Sequence, residues 1–131
     1  MKSYSNQELA ARGEFVAAKY LERQGYRLVC RNFRCPQGEI DLIVEKDQQL
    51  IFVEVKTRSH HTIDSAVENI NFRKQRKISL TALIYTKQNP QFDKHNTRFD
   101  AIILLYDRCE DAFSVRHFED AFLPVGIDPE S

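Results

Sequence analysis

The chain begins with helical spacing. Between Asn6 and Gln24 the residues Leu9, Ala10, Gly13, Val16, Ala17, Tyr20 and Leu21 fall on one stripe, and Gly25 follows as a stop signal. The period then changes. "YRLVCRNF" (26–33) reads as a strand and "CPQG" (35–38) as a turn. "EIDLIVEK" (39–46) and "QLIFVEVKTR" (49–58) read as two strands joined by a short polar turn at Asp47–Gln48. "SHHTIDS" (59–65) predicts a loop. Helical spacing returns from Ala66 to Lys87, with a break near Asn71, and is apolar on most sides between Ile78 and Tyr85, which predicts a well-buried segment. After a polar connection (87–96), "RFDAIILLY" (98–106) has the make-up of a central strand and "AFSVRHF" (112–118) that of a weaker one. The tail after Phe122 carries Pro124, Gly126 and Pro129 and is expected to be irregular.

The order is one helix, three strands, a helix and two strands. Three sequential strands followed by a helical crossover predict a mixed sheet with helices on its faces, an α/β or α+β sandwich.

The middle hairpin poses a problem of register. A turn centred between Asp47 and Gln48 sets Ile40 against Val55, Leu42 against Val53 and Val44 against Ile51, so one face becomes apolar. The other face then sets Asp41 opposite Glu54 and Glu39 opposite Lys56. A slip of one residue would place Leu42 beside Glu54 and spoil both faces. Directly opposed carboxylates have Cβ atoms roughly 4.5–5.5 Å apart and destabilise a sheet. Lys56 offsets part of that repulsion, and a divalent cation would offset it better. Mg²⁺ takes one or two carboxylates, keeps several waters and binds phosphate as well. The plain alternative is a solvated strand face with a Glu–Lys pair.

Two further features bear on this cluster. Glu14 lies at the edge of the first helix's apolar stripe among small residues, from where a carboxylate can reach the hairpin, although an ordinary boundary glutamate fits too. The run "RKQRK", Arg73 to Lys77, places cations in the first turns of a helix starting near Asn71, where the helix dipole disfavours them. An anionic partner explains that placement, and so does a solvated face.

Length and composition narrow the classes. With 131 residues, 42% hydrophobic and 29% charged, the chain fits one soluble globular domain. No apolar run approaches the ~18 residues of a membrane span, and the first residues lack the apolar stretch of a signal peptide, so a cytoplasmic protein without membrane association is expected. Cys30, Cys35 and Cys109 form no pairable set and are expected as reduced, half-buried thiols; His60–His61 lacks zinc-ligand spacing. The net charge of zero conceals an uneven distribution. Residues 107–131 hold seven acids and two bases, and residues 1–106 hold twelve acids and seventeen bases. An acidic tail follows a moderately basic body, and no recognition helix or zinc finger signals sequence-specific reading.

"GEIDLIVEKDQQLIFVEVKTR", with upstream "ARGEFVAAKYLERQGYRLVCRNFR" and downstream "RKQRK" and "RFDAIIL", closely resembles the YraN-like family of small, largely uncharacterised bacterial proteins over about residues 8–122. That family is similar to Holliday-junction-resolvase-like and restriction-endonuclease-like domains with the E…D…(D/E)-x-K, or PD-(D/E)XK, nuclease signature. The resemblance implies a restriction-endonuclease-like three-layer α/β/α domain over residues 1–123, with a central mixed five-stranded sheet in the order αβββαββ and an irregular tail at 124–131. It implies a Mg²⁺- or Mn²⁺-dependent endonuclease-type phosphodiesterase acting on DNA, branched or otherwise structured, with no small-molecule organic cofactor. By motif, Glu14, Asp41, Glu54 and Lys56 would be catalytic. Asp41, Glu54 and the Val55 carbonyl would hold the metal. Arg58, Arg73, Lys74, Gln75, Arg76 and Lys77 would meet nucleic acid, the match of Gln75 and Lys77 being looser. Where relatives carry an "F-G-x-P"-like stretch after the T-R motif, this chain reads "HHTIDSA". Junction resolution would favour a dimer, and the sequence marks no interface. Two other readings stay open: a nucleic-acid binder on a nuclease scaffold that does not cut, and a partner-binding domain with a relic site.

Overall fold

The computed structural model describes residues 4–59 and 70–124. The predicted loop residues 60–65, the helical spacing at 66–69 and the tail from residue 125 lie outside the described residues. Among the described residues the chain runs α1 (Asn6–Arg23), β1 (Arg27–Cys35), β2 (Gly38–Lys46), β3 (Gln49–Arg58), α2 (Phe72–Gln88), a 3₁₀ turn (Pro90–Phe92), β4 (Asn96–Asp107) and β5 (Ala112–Phe118). The expected order αβββαββ holds. The strands form one mixed sheet in spatial order β1-β2-β3-β4-β5, antiparallel throughout except for the parallel pair β3–β4.

Local signals start and stop the elements. Ser5 caps α1 in a reciprocal capping box with Glu8, both hydrogen bonds being 3.1 Å, and Gly25 leaves the helix at φ 92°. Asn71 caps α2 by accepting from the Lys74 N–H at 2.9 Å, which explains the break in spacing there. The β2–β3 hairpin turns on Asp47 and Gln48, both with positive φ (51° and 64°), as a two-residue type I′ loop requires.

Both faces of the sheet are covered, so the domain has three layers. On one face Ala17, Ala18 and Leu21 of α1 pack over Leu42, Val44, Ile51, Val53, Ile102 and Leu104. On the other, Ile78, Ala82 and Tyr85 of α2 pack over Ile43, Leu50, Phe52, Phe99 and Ala101. Ile40 corrects the alternation expected from sequence: it joins the α2-side core and not Leu42 and Val44. The reason lies in its neighbours. Ile40 pairs with Phe33 of the same core, Asn32 takes a left-handed conformation (φ 51°), and the strand alternation breaks at Asp41. Two smaller expectations also shift. Leu83 stays 39% exposed inside the apolar part of α2, and Cys109 is exposed while Cys30 and Cys35 are half-buried; all three are free thiols.

A buried charge knot fastens β4 and β5 to α1. Asp100, fully buried, accepts from Arg98 Nε at 2.8 Å and Nη2 at 2.9 Å, from His117 Nε2 at 2.7 Å and from the Asp120 N–H at 3.1 Å. His117 Nδ1 lies 3.0 Å from the Tyr20 hydroxyl on α1. Burial works to raise the Asp100 pKa, but the bonds from His117, Arg98 and Asp120 more than reverse it and hold the carboxyl below its ordinary value.

Gly13 sets how closely α1 approaches β3. A Cβ there would stand 2.1 Å from Thr57 Oγ1 and 3.3 Å from Thr57 Cβ. Threonine is stiff at χ1, so the clash is not relieved by a small adjustment.

This packing makes two predictions about stability. Gly13→Ala gains about 1 kcal/mol of helix propensity but loses more to overpacking, giving a net loss of about 1–2 kcal/mol in urea denaturation; Thr57→Ala in the same chain recovers part of it. Asp100→Asn leaves the half-buried Arg98 without its nearest carboxylate and lowers stability by about 3–5 kcal/mol at pH 7. Because the folded-state pKa of Asp100 is depressed, its contribution is present above the unfolded value of about 4 and fades as pH falls through the folded one. Wild type and Asp100→Asn should therefore converge in stability under acid.

Candidate active site

The site forms where β2 and β3 part. Their ladder follows the predicted register from Lys46↔Gln49 to Leu42↔Val53, and then stops. The expected ladder pairs Asp41–Glu54 and Glu39–Lys56 do not appear beyond it. Instead the Asp41 side chain enters the gap, and its Oδ2 accepts the Val55 N–H at 2.7 Å. Glu39 pairs instead with Arg34 at 3.2 Å.

On β3, residues alternate between the two covers. Val53 and Val55 face α1; Phe52 faces α2, and Glu54 and Lys56 continue its row past the apolar core. The site face of the hairpin is thus not a solvent face, as a plain Glu–Lys surface pair would be. It lies beside the first turns of α2. From there Lys74 reaches Glu54 Oε1 at 3.5 Å, with the Glu54 side chain only 13% exposed. Lys74, expected from sequence among the DNA contacts, thereby joins the acid cluster. From the opposite cover, α1 supplies Glu14, whose Oε1 accepts from Asn32 Nδ2 at 2.8 Å. The close approach at Gly13 places this helix turn over Thr57.

The electrostatics show an acid pair short of positive charge. Burial, then the nearby Glu54 carboxylate, push Asp41 up to about 7 against the opposing Val55 hydrogen bond; Glu14 and Glu39 push the same way. Burial also raises Glu54, with Lys74 and Lys56 restraining the shift. Lys56 is lowered to about 8 by burial and by the adjacent Lys74. Burial would lower Lys74 too, but its contacts with Lys56 and Glu54 outweigh that and hold it above its ordinary value. Glu14, Asp41, Glu54 and Lys56 are therefore brought into one electrostatic unit, and Lys74 is added.

The remaining predicted contacts divide. Arg58 stands two residues beyond Lys56 on the same face, with Nη1 on its neighbour's carbonyl, Thr57 O, at 2.9 Å. Arg73, Arg76 and Lys77 are exposed on α2. Gln75 turns inward, donating from Nε2 to the Ile70 carbonyl at 2.7 Å, so its amide supports the start of α2.

The donor set suits a hard divalent cation in one respect. Asp41 and Glu54 are two oxygen-donor carboxylates whose mutual repulsion a cation would relieve, which is the ligand number Mg²⁺ takes beside its waters. Among the described residues no group of three or more His, Cys, Asp or Glu converges as a metal cage. The fit is thus to a water-rich ion on two carboxylates.

Sequence reasoning missed Lys74 as a member of the cluster, Asn32 as the anchor of Glu14, and the Asp100 knot. A signal for Asp100 is present: a carboxylate inside the apolar run "RFDAIILLY" is as anomalous as Glu54 in "IFVEVKTR".

Fold and site together define a small α/β/α domain with an acid–lysine cluster at the opening of a central hairpin. Comparison with known sequences places the chain within a family. The model of the uncharacterised protein family UPF0102 matches residues 13–104. A UPF0102 protein of Clostridium botulinum (strain 657 / Type Ba4) is 39% identical over 119 residues, covering 91% of this chain and 97% of the relative. One of Clostridium tetani (strain Massachusetts / E88) is 38% identical over 122 residues, covering 93% and 98%. The chain belongs to the UPF0102 family, the family of the YraN-like proteins it resembles. Among the described residues no helix is long and apolar enough to cross a membrane.

The raised Asp41 pKa yields a stability prediction. The folded state holds the Asp41 proton up to about pH 7, the unfolded chain only to about 4, so stability falls as pH rises between them. Asp41→Asn keeps an oxygen for the Val55 N–H and loses the charge. Without divalent ions it should be more stable than wild type at pH 8, by on the order of 1–3 kcal/mol, and nearly equal at pH 4, as read by urea denaturation.

Proposed function

We propose that this protein is a divalent-cation-dependent phosphodiesterase that hydrolyses DNA backbones. The observation that carries the reading is the convergence of Asp41, Glu54 and Lys56 where the β2–β3 ladder opens, on the residues that match the D…E-x-K part of the nuclease signature. Glu14, arriving from α1, matches its first acid.

Asp41 and Glu54, with the Val55 carbonyl, would hold Mg²⁺ or Mn²⁺. An ion held there would supply Lewis-acid polarisation of a phosphoryl oxygen and a water of lowered pKa. Lys56 orients that water, helps take its proton and stabilises the negative charge that develops on phosphorus-bound oxygen. Glu14 keeps its carboxylate toward Asp41 through Asn32. Arg58 and the exposed cations Arg73, Arg76 and Lys77 hold the phosphates on either side, positioning the strand without reading its bases. Bent or branched DNA is the substrate class that the family resemblance implies. A cytoplasmic location accords with this reading.

One observation favours a second reading. The Lys74 ammonium already lies 3.5 Å from Glu54, and Asp41 already accepts a backbone N–H. A site compensated in this way from within fits a protein that binds nucleic acid without cutting it.

A cleavage assay on linear, flapped and four-way-junction DNA separates the two. Wild type should cut at least one substrate with Mg²⁺ or Mn²⁺ and not with EDTA. Glu54→Ala and Lys56→Ala should lose on the order of 10²-fold or more in rate while retaining salt-sensitive binding. Added Mn²⁺ should raise the melting temperature of wild type and not that of Asp41→Asn. Absence of divalent-dependent cutting on every substrate, with binding intact, would leave the second reading.

A further inference from the structure

Beyond the carboxyl ends of the parallel strands β3 and β4 lies a cavity of about 410 Å³, lined by Ser59, Leu105, Asp107, Arg108, Ser114 and Arg116 among others. A second cavity of about 330 Å³ shares Ser59 with it and is bordered by Arg58. The carboxyl end of parallel strands is where open α/β sheets most often take ligands.

The sheet register ties this cavity to the acid–lysine cluster. Lys56 pairs with Ile103, and Ile103 with Arg116; Arg58 pairs with Leu105, and Leu105 with Ser114. Residues directly paired across strands share a face. Lys56, Arg58, Arg116 and Ser114 therefore stand on one face of the sheet, with Arg108 at the turn beyond. Two strand spacings put Arg116 about 9.5 Å from Lys56 along its row. The backbone between successive phosphates is longer than the 3.4 Å axial rise, so that distance spans about one to two nucleotides.

Cations outnumber acids at this end of the row, where Arg58, Arg108 and Arg116 stand against Asp107. From residue 107 to the end, the chain has seven acids and only two bases, Arg108 and Arg116, and both line this cavity. The acids around it are engaged elsewhere. Asp107 Oδ1 accepts the N–H groups of Cys109 and Glu110, at 2.9 and 3.3 Å. Asp111 pairs with Arg12 at 3.1 Å and accepts the Tyr106 hydroxyl at 2.7 Å. Glu110 is exposed on the turn. Among the described residues neither Arg108 nor Arg116 has a carboxylate partner; Arg116 Nη1 makes only a 3.3 Å bond to the Val115 carbonyl. Guanidinium forks of this kind match phosphate oxygens.

We propose that this cavity is a phosphate subsite, in which Arg108 and Arg116, with the Ser59 and Ser114 hydroxyls, grip the phosphodiester backbone of the same nucleic acid about one to two nucleotides from the reactive phosphate. The proposal rests on the nucleic-acid reading above and extends it across β4 to the far strand of the sheet. The strand then crosses the sheet from α2, over Lys56 and Arg58, to β5.

The test is fluorescence anisotropy with labelled DNA across a salt series, in a Lys56→Ala protein so that nothing is cut. Adding Arg108→Ala and Arg116→Ala should weaken binding about tenfold and make the log–log salt slope shallower by about 1–2, near 0.9 for each phosphate no longer neutralised. Arg108→Lys with Arg116→Lys should restore most of the slope. Lys87→Ala with Lys94→Ala, at the opposite end of the sheet, removes equal charge and should change the slope little. An unchanged slope in the arginine variant, or an equal loss in the Lys87/Lys94 control, overturns the subsite and leaves the nucleic-acid reading standing. A Lys56→Ala protein that binds no DNA at any salt overturns both.

Discussion

One hydrogen bond decides the shape of the centre of this molecule: the Asp41 carboxylate accepting the Val55 N–H. In an uninterrupted hairpin a backbone carbonyl would take that donor, and β2 and β3 would stay zipped. Here a side chain takes it. The strands part after Leu42↔Val53, the alternation of β2 breaks, and Ile40 crosses to the α2-side core. The bond satisfies a main-chain donor that would otherwise be orphaned by the opening. It also holds one carboxylate oxygen in place while leaving the other for chemistry.

The protein treats its buried charges in two opposite ways. Around Asp100 both carboxylate oxygens have donors, and the knot of His117, Arg98 and the Asp120 N–H lowers the carboxyl's pKa against its burial. Around Asp41, burial first and then the neighbouring acids raise the pKa to about 7. The first arrangement anchors β4, β5 and α1. The second stores repulsion that a cation would relieve. Strain at a site is tolerable only when the surroundings are rigid enough to hold it. Asp41 sits between the buried Ile40 and Leu42, and Glu54 follows the buried Val53.

How much of this is legible in the sequence depends on the range of the interaction. The hairpin register is readable because Asp47–Gln48 fixes the turn and the β-branched alternation of residues 51–55 tolerates no slip. Glu54 and Lys56 stand out for the same reason. The face of Ile40 is not readable, because it depends on an irregularity at Asn32 on a neighbouring strand. Lys74 reads as one more cation in a basic run, since its reach to Glu54 depends on where α2 lands after a crossover, which no local pattern encodes. Arg108 and Arg116 are masked by the acids around them, and only the strand pairing brings Arg116 into the row of Lys56.

The spatial order of the strands is also their order along the chain, and this has a kinetic meaning. β1, β2 and β3 can zip as hairpins between near neighbours, with small loops to close. The parallel pair β3–β4 joins residues about fifty positions apart and must wait for the slower search that distant contacts require. Asp41 and Glu54 thus come together in the early, local part of folding. Lys74 and the β4–β5 half arrive with the crossover. During synthesis from the N-terminus, Asp41, Glu54 and Lys56 are assembled before Lys74 arrives, so the nascent hairpin passes through a stage at which Lys56 alone restrains its carboxylates.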